Sequence, residues 1–222
     1  MINFNTTTAA DRFPIWELTT PDIPFDRDYF EKNDIWKNNK LVDGEYVAFG
    51  DERKDYIPDS LPEFESWYNN FKKESDILNS IGALLDLKEN NGFFYTQYPI
   101  QDKGHLPSEF IKKRCSIAFN IMKDEPGYKM HNHFDNRAVF GNIFLNLTDN
   151  IDVSTTFVNT FTNYNQSVID KDTNIHYKAP DKKNEGMFFM NTSDTYHGIH
   201  NSTDKIRYIL NVLIYFSELT YV

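Results

Sequence analysis

From residue 92 onward the apolar pattern shortens to the period of β-strands, and this constrains the chain more than any other feature. Segments at 93–100, 114–122, 138–147, 154–161, 187–190 and 207–216 are rich in aromatic and β-branched residues, with clusters of Asn, Asp, Gly and Pro between them. Six or more strands joined by turns, with helices gathered ahead of them, predict a mainly β, α+β chain. The expected form is an antiparallel sandwich or barrel with N-terminal helices packed on one side. Across 208–216 only Asn211 is not a large apolar or aromatic side chain.

The first 60 residues are polar and broken by Pro14, Pro21, Pro24 and Pro58, with Trp16, Phe25, Tyr29, Trp36, Tyr46 and Phe49 spaced as single anchors. Such a segment is expected to wrap a core built elsewhere. Across 60–87 the character changes: Asp59 or Ser60 can cap, Pro62 suits a first turn, and Phe64, Trp67, Tyr68 and Phe71 recur at helical spacing. Ile77, Ile81, Leu84 and Leu85 add a second apolar face, so one or two helices are expected here. The organisation predicted is one domain over 1–222, with 1–110 as wrapping and helical support and 111–222 as the β core that carries the site.

Lys plus Arg number 23 against 33 Asp plus Glu, a formal charge of −10 in 222 residues. A surface of that sign repels phosphate backbones and anionic lipid heads, and no basic cluster offsets it, so neither nucleic acid nor a membrane is an expected partner. The start has no basic region followed by an apolar stretch, and no apolar run reaches the roughly 18 residues a span needs. A single cysteine, Cys115, fits a reducing compartment. These features predict a soluble, cytoplasmic protein with Cys115 as a small buried side chain. No Gly-rich phosphate loop, Cys-x-x-Cys pair or Gly-x-Ser-x-Gly elbow is present to support nucleotide, zinc-ribbon or serine-hydrolase chemistry.

Four of the six histidines fall in two tight groups, His131 with His133 and His197 with His200. In an extended chain His131, His133 and Asp135 share one face, because the side-chain period is two. Two imidazoles and a carboxylate pointing one way are unfavourable to bury unless a cation binds them. The second group follows a strand-like approach from Gly186 and precedes the β-rich run opened by Arg207. A ligand pair from an early strand and one histidine from a late strand is how a facial two-histidine, one-carboxylate site is assembled.

These residues resemble the 2-oxoglutarate/Fe(II)-dependent oxygenases, most nearly the prolyl-hydroxylase-like branch, over about the second half of the chain. Pro126-Gly127 leads into His133-Phe134-Asp135, Phe144-Leu145-Asn146 stands for a strand end of the family, and Arg207 lies ten residues after His197. The resemblance implies a double-stranded β-helix, or jelly roll, with His133, Asp135 and His197 as iron ligands and Arg207 gripping the distal carboxylate of 2-oxoglutarate. Charge supports the arginine: Fe(II) with one carboxylate is +1, 2-oxoglutarate is −2, and one guanidinium balances the sum. Cofactors expected on this basis are Fe(II) and 2-oxoglutarate, and the reaction is hydroxylation of a small molecule or peptide side chain by dioxygen. Asp135 fills the position that halogenases of the family leave open for halide.

The chain also departs from the family pattern. Ser154-Thr155-Thr156 stands where many members have Gly-Gly, Ile209 replaces a frequent serine, and Phe144 takes the place of a tyrosine that contacts the cosubstrate. Asn142 and Asn211 share the inward faces with Phe144 and Arg207 and are expected to supply the missing polar contacts, or else to be satisfied core amides. His131 is one histidine more than the pattern needs: it is a partner of the ligands, a substrate-facing group or an exposed loop residue. Two rivals remain at this stage. A cupin-like enzyme would use His131, His133 and His197 without 2-oxoglutarate, but Arg137 and Ala138 stand where its glutamate should fall. A non-catalytic β-sandwich would bind a ligand or partner and ignore Fe(II).

Overall fold

The computed structural model describes residues 2–10, 13–32, 39–42, 45–48, 53–56, 69, 71, 74–98, 106–150, 152–158 and 175–217. The chain opens with β1 (Asn3–Phe4) and β2 (Ile15–Thr19), then the short helix α1 (Arg27–Lys32), the hairpin of β3 (Asn39–Val42) and β4 (Glu45–Ala48), and β5 (Arg53–Tyr56). Helices α2 (Glu74–Asp86), α3 (Asn91–Gln97) and α4 (Pro107–Arg114) follow. The β-rich half comprises β6 (Cys115–Asp124), β7 (Lys129–His133), β8 (Val139–Asn146), β9 (Thr156–Val158), β10 (Ile175–Lys178), β11 (Glu185–Met190), β12 (His197–His200) and β13 (Arg207–Phe216).

Two sheets face each other. The larger has the order β1-β2-β11-β8-β13-β6-β5, the smaller β10-β9-β12-β7. From β6 on, the chain crosses between them almost strand by strand: β6, β8, β11 and β13 lie in the larger sheet and β7, β9, β10 and β12 in the smaller. Pairing within both sheets is antiparallel. This alternation is the double-stranded β-helix, the mainly β architecture with helices on one side that the sequence predicted.

The apolar run of β13 follows from its central place. It pairs along all ten residues with β6 and along most of its length with β8. Tyr208, Leu210, Val212 and Ile214 face outward and merge with Ile77, Ile81 and Leu85 of α2, Phe94 of α3 and Ile111 of α4. Full burial of a side chain of this size contributes about 1.5 to 3 kcal/mol, so the helices hold to the sheet through this face. On the inner side, between the sheets, Ile15, Met187, Phe189 and Phe157 form a second cluster with Phe144 against it.

Two expectations for the first half need correction. Trp16 is no isolated anchor of a wrapping segment: Ile15–Thr19 is a strand paired with β11, and the Trp16 indole is fully buried, stacked on Phe188 at 5.6 Å with its N–H donated to Asn90 Oδ1 at 3.2 Å. Pro14 does not prevent this, because a proline just ahead of a strand removes no ladder hydrogen bond from its interior. Residues 93–100, expected as a strand, instead begin within helix α3. Phe94 meets Tyr98, one helical turn on, at 5.4 Å and Phe110 at 5.3 Å, so aromatic residues with β propensity are drawn into a helix by packing against α4. Trp36, Phe49, Phe64, Trp67 and Tyr68 lie outside the described residues, as does 159–161 of the expected fourth strand. Among the described residues no helix is long and apolar enough to cross a membrane.

Candidate metal centre

The turn ahead of β7 sets the entry of the chain into the site. Gly127 has φ +87°, a left-handed conformation that L side chains rarely adopt, and its N–H donates to Asn201 O at 2.8 Å. Across β7 and β12 the register places His197 opposite His133 and Ile199 opposite Met130, with a bulge between. Gly198 sits at that bulge, where a Cβ would come within 2.5 Å of Asn132 Oδ1 and 2.8 Å of Met130 O. The close approach of the two strands therefore depends on glycine, and it is what brings the two histidine rings to 4.6 Å between centroids.

Asp135 completes the group from just beyond β7. His133 Nε2 is 3.7 Å from Asp135 Oδ1, and His197 Nε2 is 3.9 Å from Asp135 Oδ2. One ligand atom from each of the three lies within 4.8 Å of the others. His197 is buried at 4% exposure, whereas His133 and Asp135 are half-buried.

Each donor is oriented from behind. His197 Nδ1 lies 2.9 Å from the Thr195 carbonyl oxygen, which can only accept, so Nδ1 carries the proton and the Nε2 lone pair is directed at Asp135. Asn142 Nδ2 donates to Asp135 Oδ2 at 2.6 Å. Phe189, Phe157 and Phe144 surround the His197 ring at 4.8, 5.4 and 6.3 Å between centroids, giving it an apolar wall on the sheet side. A divalent ion with bonds of about 2.1 Å brings neighbouring ligand atoms to about 3 Å at right angles, so the group, now within 4.8 Å, has to draw together around the ion. Two imidazole nitrogens and a carboxylate oxygen brought together, two of the three residues only half-buried, suit a facial metal site.

The remaining sequence candidates fall as follows. His200 is exposed at the far end of β12, opposite Lys129. His131 lies in β7, with its side chain outside the described set. Asn142 is turned to Asp135. Asn211 is opposite Phe144 on the inner face and donates to Asn120 Oδ1 at 2.9 Å, while its own Oδ1 is a buried acceptor with no hydrogen-bond partner. Cys115 is buried, and burial pushes its thiol up to about 12, so it is a packing residue rather than a nucleophile.

Arg207 occupies the first position of β13 at 3% exposure. Its Nη1 donates to Asp124 Oδ2 at 2.8 Å and its Nη2 to Thr155 Oγ1 at 2.8 Å. Sequence reading missed both partners. Asp124 is opposite Arg207 in the β6–β13 register, a relation that no local motif reveals. Thr155 had a signal: it stands in the Ser154-Thr155-Thr156 turn that departs from the Gly-Gly pattern.

No protein-family model and no curated protein matches this sequence. Solved structures do share its fold. A prolyl hydroxylase in complex with a hypoxia inducible factor oxygen degradation domain peptide fragment, from Trichoplax adhaerens, superposes with a TM-score of 0.57 at 9% identity, covering 92% of this chain and 84% of that one. HygX from Streptomyces hygroscopicus, with nickel and 2-oxoglutarate bound, gives a TM-score of 0.53 at 9% identity, covering 93% of this chain and 84% of that one. The jelly roll is thus the fold of these structures, in keeping with the resemblance carried by the His-x-Asp and Arg207 segments.

Proposed function

We propose that the protein is an Fe(II)- and 2-oxoglutarate-dependent oxygenase that hydroxylates an organic substrate, either a small molecule or a peptide side chain. The observation that carries this reading is the convergence of one ligand atom each from His133, Asp135 and His197 within 4.8 Å, in a jelly roll. The nickel and 2-oxoglutarate of one fold relative, and the peptide held by the other, support the same reading. Fe(II) together with a 2-oxo acid, when bound, supplies oxidative decarboxylation coupled to oxygenation of a C–H bond by dioxygen.

The chain's own residues have distinct tasks in this scheme. His133 and His197 offer neutral imidazole nitrogens, and Asp135 offers one negative charge, so the site binds a divalent cation while keeping a net charge of +1 for an anionic cosubstrate. Thr195 holds the proton on His197 Nδ1, and Asn142 holds the Asp135 carboxylate, so neither ligand has to be reoriented when the cation arrives. Phe144, Phe157 and Phe189 exclude water from the inner side of His197. Arg207 is the cationic group assigned to the far end of the 2-oxo acid.

The test is an anaerobic titration. Ferrous protein given 2-oxoglutarate should develop the visible charge-transfer band of a chelated 2-oxo acid, and calorimetry should show 2-oxoglutarate binding only when metal is present. Absence of both overturns the reading.

A further inference from the structure

The two strands that carry the histidine ligands, β7 and β12, are gripped at both ends by asparagine side chains. At one end stands Asn191, which follows β11 and opens the turn leading to β12. Its Nδ2 donates to the carbonyl oxygens of Asp135 at 3.2 Å, Asn136 at 3.0 Å and Val139 at 3.1 Å, and its main-chain N–H donates to Phe140 O at 2.9 Å. Carbonyl oxygens only accept, so three of them around one nitrogen settle which way the amide is turned. At the other end stands Asn201, the residue after β12. Its Nδ2 donates to Asp124 O and Glu125 O, both at 3.1 Å, and to Lys205 O at 2.7 Å. Two clamps of the same chemistry thus sit at opposite ends of a strand pair about 13 Å long.

Only the Asn191 end coincides with the metal centre. β7 stops at His133, so Asp135 stands past the last rung of the β7–β12 ladder. Its main chain is instead gripped by Asn191, within a turn closed by Val139 N–H to Asn136 O at 2.8 Å and Ala138 N–H to Asn136 Oδ1 at 3.0 Å. The same stretch of chain serves the other arm. Thr195 Oγ1 accepts the Thr192 N–H at 2.9 Å and donates to Met190 O at 2.7 Å, and the Thr195 carbonyl oxygen meets His197 Nδ1. Residues 191–195 therefore reach two of the three ligands, Asp135 through Asn191 and His197 through Thr195.

Resting on the metal centre of the oxygenase reading above, we propose that Asn191 is a positioning residue for the metal. Its hydrogen bonds reach no metal-ligating atom, but by holding the Asp135 backbone it presets how Asp135 stands against His197. Without that amide the 135–139 turn regains backbone freedom that metal binding must remove again, so affinity falls although all three ligands are present. Asn201, gripping the far end of the same strands, serves the fold and not the metal.

Calorimetric titration of the full chain with Mn(II), alongside urea denaturation of the same variants, separates the two roles. Asn191→Ala should weaken Mn(II) binding by at least about ten-fold, the effect expected of a residue that supports a ligand. Asn201→Ala should lower the denaturation midpoint yet keep Mn(II) affinity within about three-fold of wild type, a contrast that two merely structural amides would not give. Serine at either position keeps one donor and supplies the comparison where the alanine variant does not fold. A folded Asn191 variant with wild-type Mn(II) affinity overturns the proposal. So does an Asn201 variant that loses as much affinity as the Asn191 one, because both clamps would then act by general loosening. If the wild-type protein takes up no Mn(II), the metal reading itself falls and this proposal with it.

Discussion

The side-chain amide of Asn142 donates a hydrogen bond of 2.6 Å to Oδ2 of Asp135, the oxygen that lies 3.9 Å from His197 Nε2. A residue from β8 of the larger sheet thereby fixes a ligand that follows β7 of the smaller one. The bond orients the carboxylate before any cation is present.

Asn142→Ala should therefore lower divalent-metal affinity by about 10- to 100-fold, the usual effect of removing a hydrogen bond that supports a ligand. Mn(II) titration followed by calorimetry measures this, and an unchanged circular dichroism spectrum shows that the fold persists. Unaltered metal affinity would mean that the amide plays no part in the site.

His197→Ala should abolish tight Fe(II) binding, and His200→Ala should retain most of it. Register places His197 against His133 while His200 is exposed opposite Lys129. Metal content after dialysis distinguishes the two variants. Loss of metal from the His200 variant alone would show that the β12 register is wrong.

Arg207→Met should destabilise the fold by about 3 to 5 kcal/mol, since it removes the guanidinium that stands 2.8 Å from the fully buried Asp124 carboxylate. The double variant Arg207→Met, Asp124→Leu should recover more than half of that loss, because an apolar pair of similar size carries no desolvation penalty. Urea denaturation of the four proteins of the cycle gives the coupling directly. Additive losses would show that the two side chains do not act as a pair.

Stability should also fall in mild acid because of His176. Its ring is stacked on Phe13 at 3.9 Å, both ring nitrogens are buried without hydrogen-bond partners, and burial holds its pKa below the ordinary 6.5. The unfolded chain then takes up a proton first, so stability is greatest above pH 6.5 and declines as the pH falls from there toward the folded-state value. His176→Phe keeps the stacking and removes the titration, so its denaturation midpoint should vary less between pH 7 and pH 5 than that of the wild type. Identical pH dependence in both proteins would assign the acid sensitivity to other groups.

Local periodicity was enough for β6, β8, β11 and β13 of the larger sheet, whereas β7, β10 and β12 of the smaller sheet were not among the predicted segments. The alternation that separates Leu210, Val212 and Ile214 from Asn211 is written in consecutive residues, and the structure places β13 at 207–216, the span predicted. The His133-x-Asp135 pair was legible as residue types at close spacing, although β7 ends at His133 and Asp135 joins it from the chain just beyond the strand. Residues 93–100 misled for a physical reason: Phe93, Phe94 and Tyr95 suit either a strand or a helix, and contacts with Phe110 and Phe140, both distant in sequence, decide between them.

What the sequence by itself determined was therefore the class of fold and the residue types available for a metal, since both depend on near neighbours along the chain. Only the tertiary structure decided what stands behind those residues. Asn142 reaches Asp135 because β8 crosses from the other sheet, Thr195 turns its carbonyl to His197 through the shape of a loop, and Asp124 meets Arg207 across a β6–β13 register joining residues 83 apart. A charge sum made from the sequence counts Arg207 as unmatched. Folding buries a second carboxylate against it, because a guanidinium at 3% exposure is too costly to leave without a counter-ion.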